Sequence, residues 1–148
     1  MSIQLSSEHM TAIVQHGEAA YPFEGCGLLL GHAEDGRKVV VRVLPVENTR
    51  EQEARHNRYL IPPEAVFEAE QAAAREGLDI IGFFHSHPDH PERPSDFDRE
   101  HAWPWYSYLI TSVHKGRAAN TAAWSLSDDR GAFAAEELIQ TNLVREAR

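Results

Sequence analysis

Cysteine is almost missing from this chain: Cys26 is the single one in 148 residues. That excludes an internal disulfide framework and any zinc site built on two or more thiolates, so nothing here calls for an oxidising compartment. Positive charge is also scarce. Fourteen Lys and Arg stand against 23 Asp and Glu, a formal net charge of −9, which disfavours a phosphate backbone or an anionic membrane as partner. No apolar run approaches bilayer-spanning length, and Met1-Ser2-Ile3-Gln4 lacks a basic region followed by an apolar core. Internal repeats and low-complexity tracts are absent as well. The expectation is a soluble cytoplasmic protein forming one domain over 1–148, long enough to bury a core without staples.

What is present has a readable order. Ser6 or Ser7 can cap a helix running to Ala20, with Met10, Ile13, Val14, Gly17 and Tyr21 on one side and Glu8, Gln15 and Glu18 towards solvent. Leu28–His32 and Lys38–Leu44 flank the turn signal Glu34-Asp35-Gly36-Arg37 and predict a hairpin that stops at Pro45. Residues 46–57 are charged and aperiodic, an expected exposed loop, and Arg58–Ile61 reads as a brief strand. Pro63 opens a second helix to Glu76, and Gly77 with Leu78 matches a Schellman ending. Residues 106–113 and 118–126 predict two strands around Lys115-Gly116-Arg117. Trp103, Trp105 and Tyr106 form an aromatic cluster read as core packing, with a cleft wall as the alternative. Residues 132–144 favour helix by composition.

The chemistry concentrates after the apolar run Leu78–Phe84, which is short, bounded by Gly77 and Pro88, and fits a strand buried on both faces. His85 and His87 follow. Residues two apart on a strand share a face, so both imidazoles can converge if the extended backbone persists to Pro88. Catalytic zinc uses three protein ligands and leaves one position open, and Asp98 is the candidate third ligand. Ser95-x-x-Asp98 has a second reading as a capping box, which needs no metal. His90 is the main complication, able to replace one of these ligands or to orient one through a hydrogen bond, and Asp89 and Asp96 are weaker carboxylate alternatives. Cys26 reads as a small buried residue rather than a reactive thiol.

With Glu24 upstream, His85-x-His87-x(7)-Ser95-x(2)-Asp98 resembles the JAMM motif of the MPN+ metallopeptidases. The stretches Glu24-Gly25-Cys26-Gly27-Leu28-Leu29-Leu30-Gly31 and Gly82-Phe83-Phe84-His85-Ser86-His87-Pro88-Asp89-His90-Pro91 are similar to its small single-domain bacterial members, and the likeness runs to about Trp124-Ser125-Leu126. The resemblance implies an α/β (α+β) MPN/JAMM domain, a mixed sheet flanked by helices and distantly cytidine-deaminase-like, in which part of 132–144 pairs as a strand. It implies Zn2+ held by His85, His87 and Asp98, with Glu24 as general base and the Ser95 hydroxyl donating to the oxyanion. The implied reaction is hydrolysis after the C-terminal Gly-Gly of a ubiquitin-like sulfur-carrier protein, releasing an amino acid such as cysteine or a C-terminal extension. Non-catalytic MPN scaffolds are the alternative, but they lack parts of this constellation. Zinc deaminase chemistry expects Pro-Cys-x-x-Cys, which a single cysteine cannot supply.

Overall fold

The computed structural model describes residues 2–48 and 61–142. Its elements are β1 (Ser2–Ser6), α1 (Ser7–Ala20), β2 (Cys26–Glu34), β3 (Arg37–Val46), α2 (Pro63–Arg75), β4 (Asp79–Pro88), α3 (Asp96–His101), β5 (Ser107–His114), β6 (Arg117–Leu126) and β7 (Phe133–Thr141). The strands order as β1-β3-β2-β4-β5-β6-β7 and close into a barrel, because β1 pairs in parallel with both β3 and β7. The expected sheet covered by two helices is therefore corrected in one respect. The sheet curls round α1, which packs against β1, β3, β4, β5, β6 and β7. Gly17 makes this close approach possible, since a Cβ there would lie 3.1 Å from the Ser86 Cβ.

Two apolar layers result. Ile3, Leu5, Ile13, Leu29, Val40, Ile81, Phe84 and Leu109 form the inner one. Leu28 and Leu30, on the other face of β2, pack under Ala69 and Ala73 of α2. Alternating residues of a strand point to opposite faces, so the unbroken Leu28-Leu29-Leu30 run is what a strand covered on both sides requires.

Local signals set the element ends. Ser6 caps α1, its Oγ accepting from the His9 N–H at 3.0 Å. Gly77, at φ +71°, ends α2: its N–H donates to the Ala74 carbonyl and that of Leu78 to the Ala73 carbonyl, the two bonds of a Schellman motif. Several expectations need correction. β1 was not foreseen, although Ile3 and Leu5 alternate as a half-buried strand should. β3 continues through Pro45, which pairs with Gly27. Glu18 does not simply face water, because its carboxylate accepts the Ala118 N–H at 2.8 Å. Asn48 is buried rather than in an exposed loop; residues 49–57 and the strand expected at 58–60 lie outside the described residues, and Ile61 is not in a strand. The segment favouring helix by composition is β7, with part of 132–144 pairing as the resemblance implied. Among the described residues no helix is long and apolar enough to cross a membrane.

Candidate metal centre

β4 stays extended to Pro88, which puts His85 and His87 on one face of its last turn of pleat. β4 and β5 run parallel, His85 beside Ile110 and His87 beside Ser112. Parallel neighbours need a crossover. Here the crossover carries α3, whose start returns over the end of β4 and delivers Asp98.

Three side chains meet there. His85 Nε2 lies 3.3 Å from His87 Nε2, Asp98 Oδ1 is 3.3 Å from His85 Nε2, and Asp98 Oδ2 is 3.0 Å from His87 Nε2. All three residues are buried, and their ligand atoms lie within 4.8 Å of one another. The hydrogen-bond chemistry favours a cation between them. His87 Nδ1 is 2.8 Å from the Pro91 carbonyl oxygen; a carbonyl can only accept, so this nitrogen carries the proton. A ring with its only proton there would turn a bare Nε2 lone pair towards a carboxylate oxygen and a second imidazole nitrogen. Facing acceptors repel, and a metal ion in their midst resolves the conflict.

The two readings of Ser95-x-x-Asp98 hold together. Ser95 caps α3, its Oγ accepting the Asp98 N–H at 3.1 Å, while Asp98 Oδ2 accepts the Ser95 N–H at 2.9 Å. One carboxylate thus serves both the cap and the triad. Burial alone would raise its pKa, but the two histidines and the Ser95 N–H hold it well below the usual carboxylate range. Burial lowers His85, favouring its neutral form against the opposing pull of Asp98.

Glu24 sits between α1 and β2, 3% exposed, and its Oε1 has no hydrogen-bond partner among the described residues. Burial, reinforced by the Asp98 charge, pushes its carboxyl up to about 9. It lines a cleft of about 400 Å³ shared with His87, His90, Arg93, Ser95 and Asp96. The Ser95 hydroxyl accepts from α3 and keeps its own proton to donate.

The other candidates separate from this group. His90 is exposed on the cleft wall and stands outside the triad. Asp89 is occupied elsewhere, accepting from the Tyr21 hydroxyl at 2.6 Å and the Lys115 N–H at 2.8 Å. Cys26 is fully buried, and burial pushes its thiol up to about 12, so it is inert at neutral pH. The core reading of the two tryptophans is corrected: Trp103 is 63% and Trp105 46% exposed, and neither lines the cleft. Trp103 lies under the Arg130 guanidinium, and Tyr106 alone of the three packs edge-on to Phe83.

Two residues escaped the sequence reading. Asn48 Nδ2 donates to the Glu24 carbonyl at 2.9 Å, and Ser86 Oγ accepts the Gly25 N–H at 2.8 Å. The available signal was the alternation of β4, which turns Ser86 away from His85 and His87 and towards the Glu24 turn.

Residues 6–127 match the family model described as prokaryotic homologs of the JAB domain. The chain is 33% identical over 115 residues to the desampylase of Haloferax volcanii, an alignment covering 74% of this chain and 80% of that protein. It is 39% identical over 97 residues to a probable TtuB-protein conjugate cleaving protease of Thermus thermophilus, covering 66% of this chain and 61% of that one. A solution structure of a protein from Desulfitobacterium hafniense superposes with a TM-score of 0.84 at 30% identity, covering 99% of this chain and 98% of that one.

Proposed function

The chain belongs to the prokaryotic JAB family, and from that membership and the geometry of the triad we propose that it is a zinc-dependent peptidase. Its substrate is the amide bond after the C-terminal Gly-Gly of a ubiquitin-like sulfur-carrier protein, from which it releases an amino acid such as cysteine or a C-terminal extension. The observation that carries this reading is the convergence of His85, His87 and Asp98 beside a cleft that a buried, unpartnered Glu24 oxygen also reaches. The names carried by the relatives, a desampylase and a conjugate cleaving protease, support a hydrolytic role.

In this mechanism His85, His87 and Asp98 would hold a zinc ion. Zinc supplies Lewis acidity, which polarises an amide carbonyl and makes water ionisable near a pH of about 7. Glu24 takes the proton of the attacking water and passes it to the departing amine, a poor leaving group until protonated. Its carboxylate must be ionised to start, and the field of burial and Asp98 that opposes this would be offset by a divalent charge held at the triad. Ser95 donates its hydroxyl proton to the developing oxyanion, a contact whose loss in other hydrolases costs about 10²–10³ in rate. Substrate approach is along β3. β1 pairs only with Arg37–Val39, so among the described residues Val40–Val46 keeps an outer edge without a strand partner, and this edge ends at Val46, which pairs with Cys26 next to His85. An extended Gly-Gly tail can add there through main-chain hydrogen bonds.

The test is intact-mass analysis of zinc-loaded protein incubated with sulfur-carrier proteins from the same genome, each bearing a cysteine or short extension after Gly-Gly. Cleavage after the second glycine, abolished by a chelator, is the expected result. Zinc bound with no carrier cleaved would overturn the substrate assignment.

A further inference from the structure

The candidate base is carried on a turn, not on a strand or a helix. Tyr21-Pro22-Phe23 leaves α1, and Glu24 is separated from β2 by Gly25 alone. A carboxylate that must meet water held by another element needs a fixed backbone, because placement errors of about 1 Å can cost about a hundredfold in rate. The peptide unit joining Glu24 to Gly25 supplies it in an unusual way, with both of its polar groups taken by side chains. The Glu24 carbonyl accepts from Asn48 Nδ2 at 2.9 Å, and the Gly25 N–H donates to Ser86 Oγ at 2.8 Å. The Ser86 N–H also donates to the Gly25 carbonyl at 2.9 Å, so main chain and side chain of one residue bracket Gly25. Glu24, Gly25, Asn48 and Ser86 are all buried, where these bonds have no water to compete with.

Ser86 is the residue between the two candidate histidine ligands. Its neighbours His85 and His87 face the triad while Ser86 faces the Glu24 turn, so one three-residue stretch of β4 sets both positions. We propose that Ser86 and Asn48 are positioning residues that fix the Glu24 carboxylate relative to the metal triad, Ser86 from the ligand strand and Asn48 from the chain leaving β3. The proposal rests on the reading of Glu24 as the proton carrier. Gly17 and Gly25 are part of the same device. A Cβ on Gly17 would meet the Ser86 Cβ at 3.1 Å, and one on Gly25 would meet Ala20 and His16 at 3.1 Å, so α1 closes over the clamp from behind.

The experiment compares Asn48→Ala and Ser86→Ala with the parent in the zinc-loaded full chain. Four quantities are measured: kcat, KM, zinc per chain, and hydrogen exchange of the Gly25 amide by NMR. A positioning role predicts kcat lower by at least about tenfold in both variants, with KM and zinc content unchanged. Gly25 exchange should accelerate about tenfold or more in Ser86→Ala, while the Leu29 and Ile81 amides keep their protection. A kcat within twofold of the parent in both variants would overturn the proposal, and so would a loss of turnover that follows loss of zinc. Unchanged Gly25 exchange in Ser86→Ala would overturn it regardless of activity. If the parent itself cleaves no carrier conjugate, the functional reading fails, and exchange still decides whether the clamp exists.

Discussion

Loading the triad with zinc at pH 7 should expel a proton traceable to Glu24. In the metal-free protein burial and the Asp98 charge push this carboxyl up to about 9, so ~99% of chains hold that proton at neutrality. One opposite charge nearby lowers a carboxyl by about 1–3 units, and a divalent ion by roughly twice that, which brings Glu24 to roughly 3–7 and frees about half to one proton. Isothermal titration of zinc into metal-free protein, repeated in buffers of different ionisation enthalpy, counts the protons released. The parent should exceed Glu24→Gln by that half to one. Equal counts would refute the argument, because Glu24 would then be indifferent to charge in the triad. The same shift sets a pH dependence. Between the ordinary carboxyl value of 4.5 and about 9 the unfolded chain binds fewer protons at Glu24 than the folded one. Stability of the metal-free protein contributed by this group is therefore full below that window and lost as pH rises through it, by about 1.4 kcal/mol per unit at most. Urea unfolding from pH 5 to 8 should show Glu24→Gln gaining on the parent as pH rises.

Other outcomes follow from the geometry. Glu24→Gln should retain zinc and lose turnover, whereas Asp98→Ala should lose both and also shed about 1 kcal/mol of helix-cap stability, read by zinc analysis and thermal melting. Lys38 is fully buried, 3.0 Å from Ser107 Oγ and 3.6 Å from Glu136 Oε2. Burial lowers its pKa despite that carboxylate, so Lys38→Met or Glu136→Leu alone should cost about 3–5 kcal/mol and the double variant close to nothing, in a denaturation cycle. Gly82→Ala would place a Cβ 2.3 Å from the Ser107 carbonyl oxygen. The resulting separation of β4 from β5 should lower the unfolding free energy by about 1–3 kcal/mol or more.

What the chain discloses by itself is what local chemistry decides. The Asp35-Gly36 turn, Pro63 and the Gly77-Leu78 ending each act within a few residues, and each element end they imply is in the structure. The triad was legible for the same reason, since strand alternation aligns His85 with His87. Barrel closure was not. It depends on Ser2 meeting Glu137 across the whole chain, and no local pattern encodes that pairing. Nor could the sequence show that Trp103 and Trp105 are substantially exposed, because an aromatic run looks the same whether it fills the core or sits against the cations of Arg130 and the buried Lys38. For Ser95-x-x-Asp98 the error lay in treating cap and ligand as rivals. A carboxylate has two oxygens, and Asp98 gives Oδ1 to His85 while Oδ2 serves His87 and the Ser95 N–H. Asn48 was hidden by its charged neighbours, which made a buried residue look like part of a solvated loop.

That shared carboxylate has a consequence for how the protein is supplied with metal in a cell. The Ser95–Asp98 cap forms from ordinary helix energetics, so Asp98 is held at the end of β4 before any ion arrives. If the triad holds zinc as proposed, folding and metallation are separable steps. The chain would then fold with His85, His87 and Asp98 already together and take up the ion afterwards. Protein refolded in chelator should accordingly take up zinc with unchanged far-ultraviolet circular dichroism, and at a rate set by ion encounter rather than by folding.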